Sequence, residues 1–264
     1  GSTTLRGLMA AHDAVQIQGS TVALSGEVSG ASVAIAGSTI SNSGNIRTSG
    51  ALGINGSSLT NSGLIAGQDA QLAVSGGLNN ATGLIQSAGS LNIGAGNLDN
   101  SDGEIEAVGS AIINATSIIN DRGRLIVTGP GNLALTSSGN ISSIDGLIGG
   151  NGDVSVRAAS VNVSGANGAI VAGRNLAVSQ QTADTISRDT ASANDGAITR
   201  DYDDAKREEI ALGFEATKML AGETATFFAN RAAEEKAKKD EAEHKEKELA
   251  AGVRLGADGK PLLD

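Results

Sequence analysis

The stretch NSGNIRTSGALGINGSSLT (42–60) is followed directly by three variants of itself: NSGLIAGQDAQLAVSGGLN (61–79), NATGLIQSAGSLNIGAGNLD (80–99) and NSDGEIEAVGSAIINATSII (100–119). Each stretch opens with Asn, has Gly two or three residues later and then an Ile. A further Asn opens the next unit. The opening residues are Asn42, Asn61, Asn80, Asn100 and Asn120. The chain is therefore a tandem repeat with a period typical of solenoid proteins.

Aliphatic residues recur within each unit as alternating doublets. In the four stretches the doublets are Leu52 with Ile54, Leu72 with Val74, Leu91 with Ile93, and Ala111 with Ile113. Similar doublets run from Val15 with Ile17 to Leu176 with Val178, nine in all. Alternation with a period of two predicts strands, and each interior Gly would cost a helix about 1 kcal/mol relative to Ala. We expect these residues to point inward in stacked columns: Ile65, Leu72, Val74, Ile85, Leu91 and Ile93.

A single repeat unit is too small to bury its own apolar face, so the units must stack. Parallel pairing of each strand with its counterpart about 4.8 Å above and below places like residues over like. A leucine-rich repeat would need a different leucine spacing and a helical return, and a β-propeller needs about 40 residues per blade. The sequence predicts an all-β solenoid with short strands in every coil.

The asparagines and glycines have separate predicted roles at the corners of the coils. Glycine permits the positive φ that a tight corner requires. Asparagine also tolerates the left-handed region, and stacked amides form hydrogen-bonded ladders. We expect Asn42, Asn61, Asn80, Asn100 and Asn120 to form such a ladder and to hold the register of the rod.

Composition excludes several classes of function. The formal net charge is −10, which argues against nucleic acid and anionic membranes as partners. The absence of cysteine excludes a disulfide scaffold and thiolate metal sites. No stretch has the roughly 20 apolar residues of a membrane span. Gly1 and Ser2 are typical of a cloning remnant, so we expect the chain to be a piece of a longer protein.

Residues with catalytic potential are few. His12 and His244 lie in polar stretches and are interpreted as solvated. An acidic cluster could serve glycosidic acid–base chemistry or hold Ca²⁺, but a solubilising face is the better interpretation. That cluster is Asp99, Asp102, Glu104 and Glu106. GGNGDV (149–154) has a single, imperfect likeness to a calcium-binding repeat and is interpreted as a corner loop. We predict no catalytic, cofactor-binding or metal-binding residues.

The composition changes near residue 180. Aromatic residues and lysines occur only after Arg200, where Gly becomes rare. We predict a polar linker over 182–200, an α-helical segment over 201–251 and a disordered tail over 252–264. Ile210, Phe214 and Phe228 lie on one face at helical spacing. We expect this face to cap the open end of the solenoid, with a partner-binding or membrane-contacting helix as the alternative.

The recurring pattern N-S-G-x-I-x-x-x-G-x-L-x-I-x-x-x-x-L resembles the filamentous haemagglutinin repeats of two-partner secretion exoproteins. The stretch 151–181, with its A-G-R-N-L element at 172–176, is similar to a related repeat of that family. The resemblance covers residues from about 15 to 181. It implies a right-handed parallel β-helix of about nine haemagglutinin-type coils over 1–181, export through an outer-membrane transporter, and a place at the bacterial cell surface.

Three functions are consistent with these observations. The first is a non-catalytic segment of a secreted adhesin filament, which would bind a host or bacterial receptor or glycan. The second is the stalk of a contact-dependent growth-inhibition toxin, with the toxic domain outside this chain. The third is a β-helical polysaccharide-active enzyme, which the lack of aromatic residues in the repeats disfavours.

Overall fold

The computed structural model of the protein describes residues 1–180 and 191–193. In chain order its first strands are β1 (Ser2–Leu5), β2 (Leu8–Ala10), β3 (Ala14–Leu24), β4 (Glu27–Gly30), β5 (Ser32–Asn42), β6 (Asn45–Thr48), β7 (Ala51–Asn61), β8 (Leu64–Gly67), β9 (Asp69–Asn79), β10 (Leu84–Ser87) and β11 (Leu91–Asp99). The remaining strands are β12 (Glu104–Ala107), β13 (Ala111–Ile119), β14 (Arg124–Val127), β15 (Leu133–Ser137), β16 (Asn140–Ile144), β17 (Leu147–Gly150), β18 (Val154–Ala158), β19 (Ser160–Ser164), β20 (Ala169–Ala172), β21 (Leu176–Gln180) and β22 (Ala191–Ala193). The described residues contain no helix.

The strands form two parallel sheets in which hydrogen-bonded neighbours come from successive coils. The long-strand sheet has 12 strands and runs from β1 through β3, β5 and β7 to β21. The short-strand sheet has 10 strands and runs from β2 through β4, β6 and β8 to β22. The chain therefore winds as a parallel β-solenoid of about nine turns. The parallel solenoid predicted from the repeats is confirmed.

Each coil follows from the spacing of its inward-facing residues. In β7 the inward positions are Leu52 and Ile54, then Leu59 and Asn61. The odd spacing between Ile54 and Leu59 breaks the period of two, so the strand must bend between them. In later coils the bend divides the long strand in two, as between β15 and β16. The short strand then contributes one central aliphatic residue, such as Ile65, which completes the core of the coil.

In the coil that contains β9, the strand pairing differs from the one that alignment of the repeat units predicts. In β9 the residue opposite both Ile54 and Ile93 is Leu72, so Ala70 and Leu72 form the doublet. Val74 lies opposite Gly56 and Ala95, beside an irregularity in the pairing. The loop before this doublet is one residue shorter than in neighbouring coils, and the bend after it is one longer. The prediction that Leu72 stacks on Leu52 and Leu91 was wrong. Ala70, Leu72 and Val74 are all apolar and alternate with polar or small residues. The sequence therefore could not distinguish the doublet Ala70 with Leu72 from the doublet Leu72 with Val74.

All six residues predicted for the core are buried in the structure. They belong to a single hydrophobic cluster that runs from Val15 to Ala172. Ile65 and Ile85 are paired neighbours in the short-strand sheet. Leu91 and Ile93 lie over Ala70 and Leu72. The core is therefore a set of columns of aliphatic residues, one layer per coil.

Several predicted segments lie largely or wholly outside the described residues. Within the stretch predicted as a polar linker, 182–200, the structure describes Ala191–Ala193 as β22, which pairs in parallel with β20. The remainder of that stretch, the predicted helix over 201–251 and the tail over 252–264 are outside the described part. The proposed capping residues, Ile210, Phe214 and Phe228, fall in this region.

Candidate functional site: the asparagine ladder and the coil surface

The five asparagines predicted to form a ladder lie in one buried column at the same corner of successive coils. The Nδ2 of each donates to the Oδ1 of the next. These distances are 2.8 Å for Asn42 to Asn61, 2.7 Å for Asn61 to Asn80, 2.8 Å for Asn80 to Asn100 and 2.8 Å for Asn100 to Asn120. A continuous chain of side-chain amides thus runs along the rod.

Each ladder amide also bonds to backbone carbonyls at the corners. The Nδ2 of Asn61 lies 3.2 Å from the carbonyl oxygen of Gly63 and 3.2 Å from that of Leu84. With the Oδ1 of Asn80 this makes three acceptors for two N–H groups, so one hydrogen is shared. Because Leu84 belongs to the following coil, every asparagine ties its own corner to the next one. The column fixes the register as well as satisfying buried polar atoms.

The two ends of the ladder differ. Before Asn42 the equivalent position is Leu24, and the buried Oδ1 of Asn42 has no hydrogen-bond partner. After Asn120 the column continues to Ser143, whose Oγ accepts from Asn120 Nδ2 at 3.1 Å. The sequence pattern did not predict Ser143, because the repeat was defined by an asparagine at this position. The signal was present as the Gly three residues later, at Gly146.

The corner glycines serve close stacking, and the prediction that they supply positive φ was wrong. Thr82, Asp102 and Arg122, each just before a corner glycine, have φ of 62°, 55° and 56°. Among the described residues, the only glycine with positive φ is Gly165. A Cβ on Gly103 would overlap the carbonyl oxygen of Asn80 in the coil before it. Glycine is required there because two backbones approach each other.

The acidic residues suggested for catalysis or metal binding are engaged by different partners. Asp102 forms a two-point ion pair with Arg122 of the next corner, at 2.7 and 2.8 Å. The Arg122 hydrogen bond lowers the pKa of Asp102, so this carboxyl is a poor general acid. Asp99 accepts from the backbone N–H and hydroxyl of Ser101, as a turn residue does. Within the described ranges, no group of three or more His, Cys, Asp or Glu side chains could hold a metal ion.

Glu104 and Glu106 are buried, which corrects their interpretation as a solubilising face. They flank inward-facing Ile105 and point outward, yet they are only 3% and 2% exposed. Glu106 accepts from Gln86 Nε2 at 3.1 Å and from Thr128 Oγ1 at 2.8 Å. These contacts link three coils. Alternation identified the direction of the side chains, but not that this side of the sheet is shielded from water.

The histidines and the GGNGDV loop were the other candidates for chemistry, and those that the structure describes lie at the surface. His12 lies 4.0 Å from the Asp13 carboxylate, and both side chains are largely exposed. His244 is outside the described residues. In the GGNGDV loop, Asp153 accepts from Asn175 and Arg174 of the next coil. The Asn175 hydrogen bond, followed by that of Arg174, lowers the pKa of Asp153. Its carboxylate bridges two corners, as a corner loop requires.

A depression and a shallow groove lie on the outer side of the long-strand sheet. Outward amides of Gln16, Gln18, Asn55 and Gln71 line a depression there, with small residues between them. A shallow groove follows the bend of the long strands and is lined by small residues such as Ser38, Gly56 and Ser75. Together these features offer hydrogen-bond donors and acceptors from β3, β7 and β9 on one surface. We call this surface the amide face.

Comparisons of the chain with protein-family models, with curated proteins and with solved structures find no match. The described part of the chain contains no helix long and apolar enough to cross a membrane. The fold and the internal ladder define a class: the protein is a β-solenoid repeat protein with an asparagine-laddered core.

Proposed function

We propose that this chain is a non-catalytic segment of a secreted bacterial surface filament that mediates adhesion. The observation that carries the proposal is the repeat itself, with the Asn–x–Gly corner on a stacked amide ladder. The recurring pattern that builds this ladder is the one that resembles the filamentous haemagglutinin repeats. The proposal includes the right-handed winding of that family and an α-helical C-terminal segment.

The proposed partners follow from the same resemblance. Export would use the outer-membrane transporter of a two-partner system, and the filament would lie at the cell surface. The binding partner would be a receptor or glycan on a host or bacterial cell. The amide face supports this because its side chains can exchange hydrogen bonds with hydroxyl-rich or peptide ligands.

The pairing of the acidic residues favours a binding role over a polysaccharide-active enzyme. Glycosidases place two carboxyl groups about 5–9.5 Å apart, facing one substrate. Here Asp102 is engaged by exposed Arg122, whereas Glu106 is buried with Gln86 and Thr128. A sugar-degradation assay on polysaccharides of several linkages tests the enzyme hypothesis directly, and we expect no release of reducing ends.

The adhesion proposal can be tested with beads coated with the full chain. We expect coated beads to bind epithelial or bacterial cells more than uncoated beads do, and soluble chain to compete. The variant Asn55→Asp with Gln71→Glu should weaken binding, because it alters the amide face. The control Ser58→Asp with Thr60→Glu adds the same charge to outward positions beyond the bend and should bind normally.

The outcomes bear on the alternatives as follows. Binding to host cells or glycans supports the adhesin. Binding restricted to bacterial cells fits both the adhesin and the stalk of a growth-inhibition toxin, and a toxic domain encoded downstream in the full-length gene would then identify the stalk. Coated beads that bind no cell above background contradict the proposal.

A further inference from the structure

Much of the outer side of the short-strand sheet is buried, from Ser29 in β4 to Gly149 in β17. In β12 the inward residues Ile105 and Ala107 belong to the core, so Glu104 and Glu106 point to the other side. The same alternation places a row of outward residues along the sheet. The buried members of this row include Leu64, Ala66, Leu84, Gln86, Glu106 and Ile126. We call this surface the short-strand face.

The exposure of two outward isoleucines in successive strands shows how the outer sides of the two sheets differ. Ile112, which points outward from β13 of the long-strand sheet, is 48% exposed. Ile126, which points outward from β14 of the short-strand sheet, is 1% exposed. Neighbouring strands alone leave an outward Ile accessible, as Ile112 shows. The neighbouring strands of its own sheet therefore do not by themselves account for the burial of Ile126.

The apolar members of the short-strand face are also separate from the core. Leu64, Ala66 and Leu84 form a hydrophobic cluster of their own, on the opposite side of the sheet from Ile65 and Ile85. Among residues 1–180 and 191–193, the short strands pack against their counterparts in adjacent coils and against the long strands next to them in the chain. None of these described strands lies over the face.

We propose that residues 201–221 of the same chain dock along the short-strand face as an amphipathic helix. The chain is positioned for this, because β22 is the last strand of the short-strand sheet. A helix of that length extends about 30 Å at 1.5 Å per residue. The buried outward residues run from Ser29 in β4 to Gly149 in β17, which is six strand spacings, or about 29 Å at 4.8 Å each. The segment therefore matches the length of the buried row.

The chemistry of the two surfaces also matches. Ile210, Phe214 and Ala221 recur at helical spacing and supply an apolar stripe for Leu64 and Leu84. Charges flank the stripe on both surfaces. The row carries buried Arg47 and half-buried Arg124 as well as its glutamates, and the segment carries Lys206, Arg207, Glu208 and Glu209, with Lys218 beyond. A helix docked along the short-strand face would cover the apolar residues of several coils. A helix that capped the end of the rod would contact only the last coil.

The absence of cysteine allows a direct test on the full chain. Ala66→Cys places one thiol on the short-strand face, and the control Ala73→Cys places one at an exposed outward position of β9. We expect a maleimide to label the first at least about tenfold more slowly, because labelling requires local opening of the cover. Equal rates would show an open face and overturn the proposal.

A second substitution in the Ala66→Cys chain identifies the occupant. Phe214→Asp should raise the labelling rate towards that of Ala73→Cys, because it puts a charge into the apolar stripe. Leu212→Asp adds the same charge on the opposite side of the helix and should leave labelling slow. If Phe214→Asp leaves labelling slow, or if Leu212→Asp accelerates it equally, the proposed docking is wrong. A rate that falls with protein concentration would instead assign the cover to a second copy.

Circular dichroism distinguishes exposure of the short-strand face from unfolding of the whole chain. Each variant should retain the β spectrum of the parent chain, and Phe214→Ala replaces Phe214→Asp if the charged variant does not fold. This inference does not depend on the proposed adhesion, since it concerns how the chain covers its own surface.

Discussion

At the scale of single residues, the asparagine ladder combines burial with directional bonding. Asn80 is fully buried, receives one hydrogen bond from Asn61 and donates one to Asn100. Leaving a buried donor or acceptor without a partner costs about 1–3 kcal/mol. Each ladder position is therefore sensitive to the loss of either half of its amide.

We predict that Asn80→Asp destabilises the protein strongly at neutral pH. One carboxylate oxygen would replace Nδ2 and face the acceptors Asn100 Oδ1 and Gly83 O, so the free energy of unfolding should fall by more than about 3 kcal/mol. The fold would raise the pKa of the new carboxyl above its unfolded value. The lost stability should return as pH falls below that folded pKa, since a protonated carboxyl can donate. Urea unfolding at several pH values measures this.

The neighbouring substitution Asn79→Asp is the control. Asn79 is exposed, and its Oδ1 accepts from Ala81 N, which a carboxylate also does. The new carboxylate would lie opposite Asp99 of the next coil, and repulsion between these two exposed charges should cost less than about 1 kcal/mol. Asn79→Asp should change stability little. Equal effects of the two substitutions would contradict the assigned role of the ladder.

The corner glycines give a second prediction at this scale. Gly103→Ala should be severely destabilising, because the added Cβ would overlap the backbone of Asn80 and neither can move without breaking the ladder. Gly53→Ala is the matched control, since a Cβ there meets no atom within 4 Å. Thermal melting should show a large fall for the first and little change for the second. Similar melting temperatures would show that the coils can separate at the corner.

At the scale of structural elements, the corner changes form along the rod. From Asn80 onward it gains one residue, and the hydrogen bond from Gly83 N to Asn80 O, 3.0 Å, closes a four-residue turn. The residue before the glycine takes a positive φ. At the first of these turns that residue is Thr82, a β-branched residue for which this region is strained.

We predict that Thr82→Gly stabilises the protein by about 0.5–1 kcal/mol, because glycine removes the steric cost of a φ of 62°. Thr60→Gly makes the same change at an exposed position of β7 with ordinary strand geometry. That control should destabilise, since it adds backbone freedom to the unfolded chain. Chemical unfolding measures both. A loss of stability in Thr82→Gly as large as in Thr60→Gly would contradict the strain at this turn.

At the scale of the whole molecule, each coil of the solenoid is stabilised by the coils on either side of it. Strand pairing joins adjacent coils throughout, as β9 pairs with β7 and β11. Stability is then approximately a sum of coil terms and interface terms. Damage in a central coil removes two interfaces, whereas damage at the end frays a single one.

We predict that Leu91→Asp is severely destabilising and that Leu176→Asp is mild. Leu91 is 1% exposed in a central coil, where an unpaired charge cannot be solvated. Leu176 lies in β21, the last strand along the path of the long-strand sheet, and is only partly buried. Thermal melting should separate the two variants, and hydrogen exchange should show fraying limited to the last coil in Leu176→Asp. A parental melting temperature in Leu91→Asp would contradict the columnar core.

The sequence by itself determined the repeat, the parallel solenoid and the direction of alternating side chains, because a periodic chain leaves few ways to bury its aliphatic residues. The tertiary structure decided the features that depend on contacts between coils. It shifted the doublet at Leu72 by two residues, since Ala70 and Val74 suit either register. It assigned Gly103 to close backbone approach and buried Glu106 on a shielded surface. Periodicity reports which side a residue occupies, but not what lies against that side.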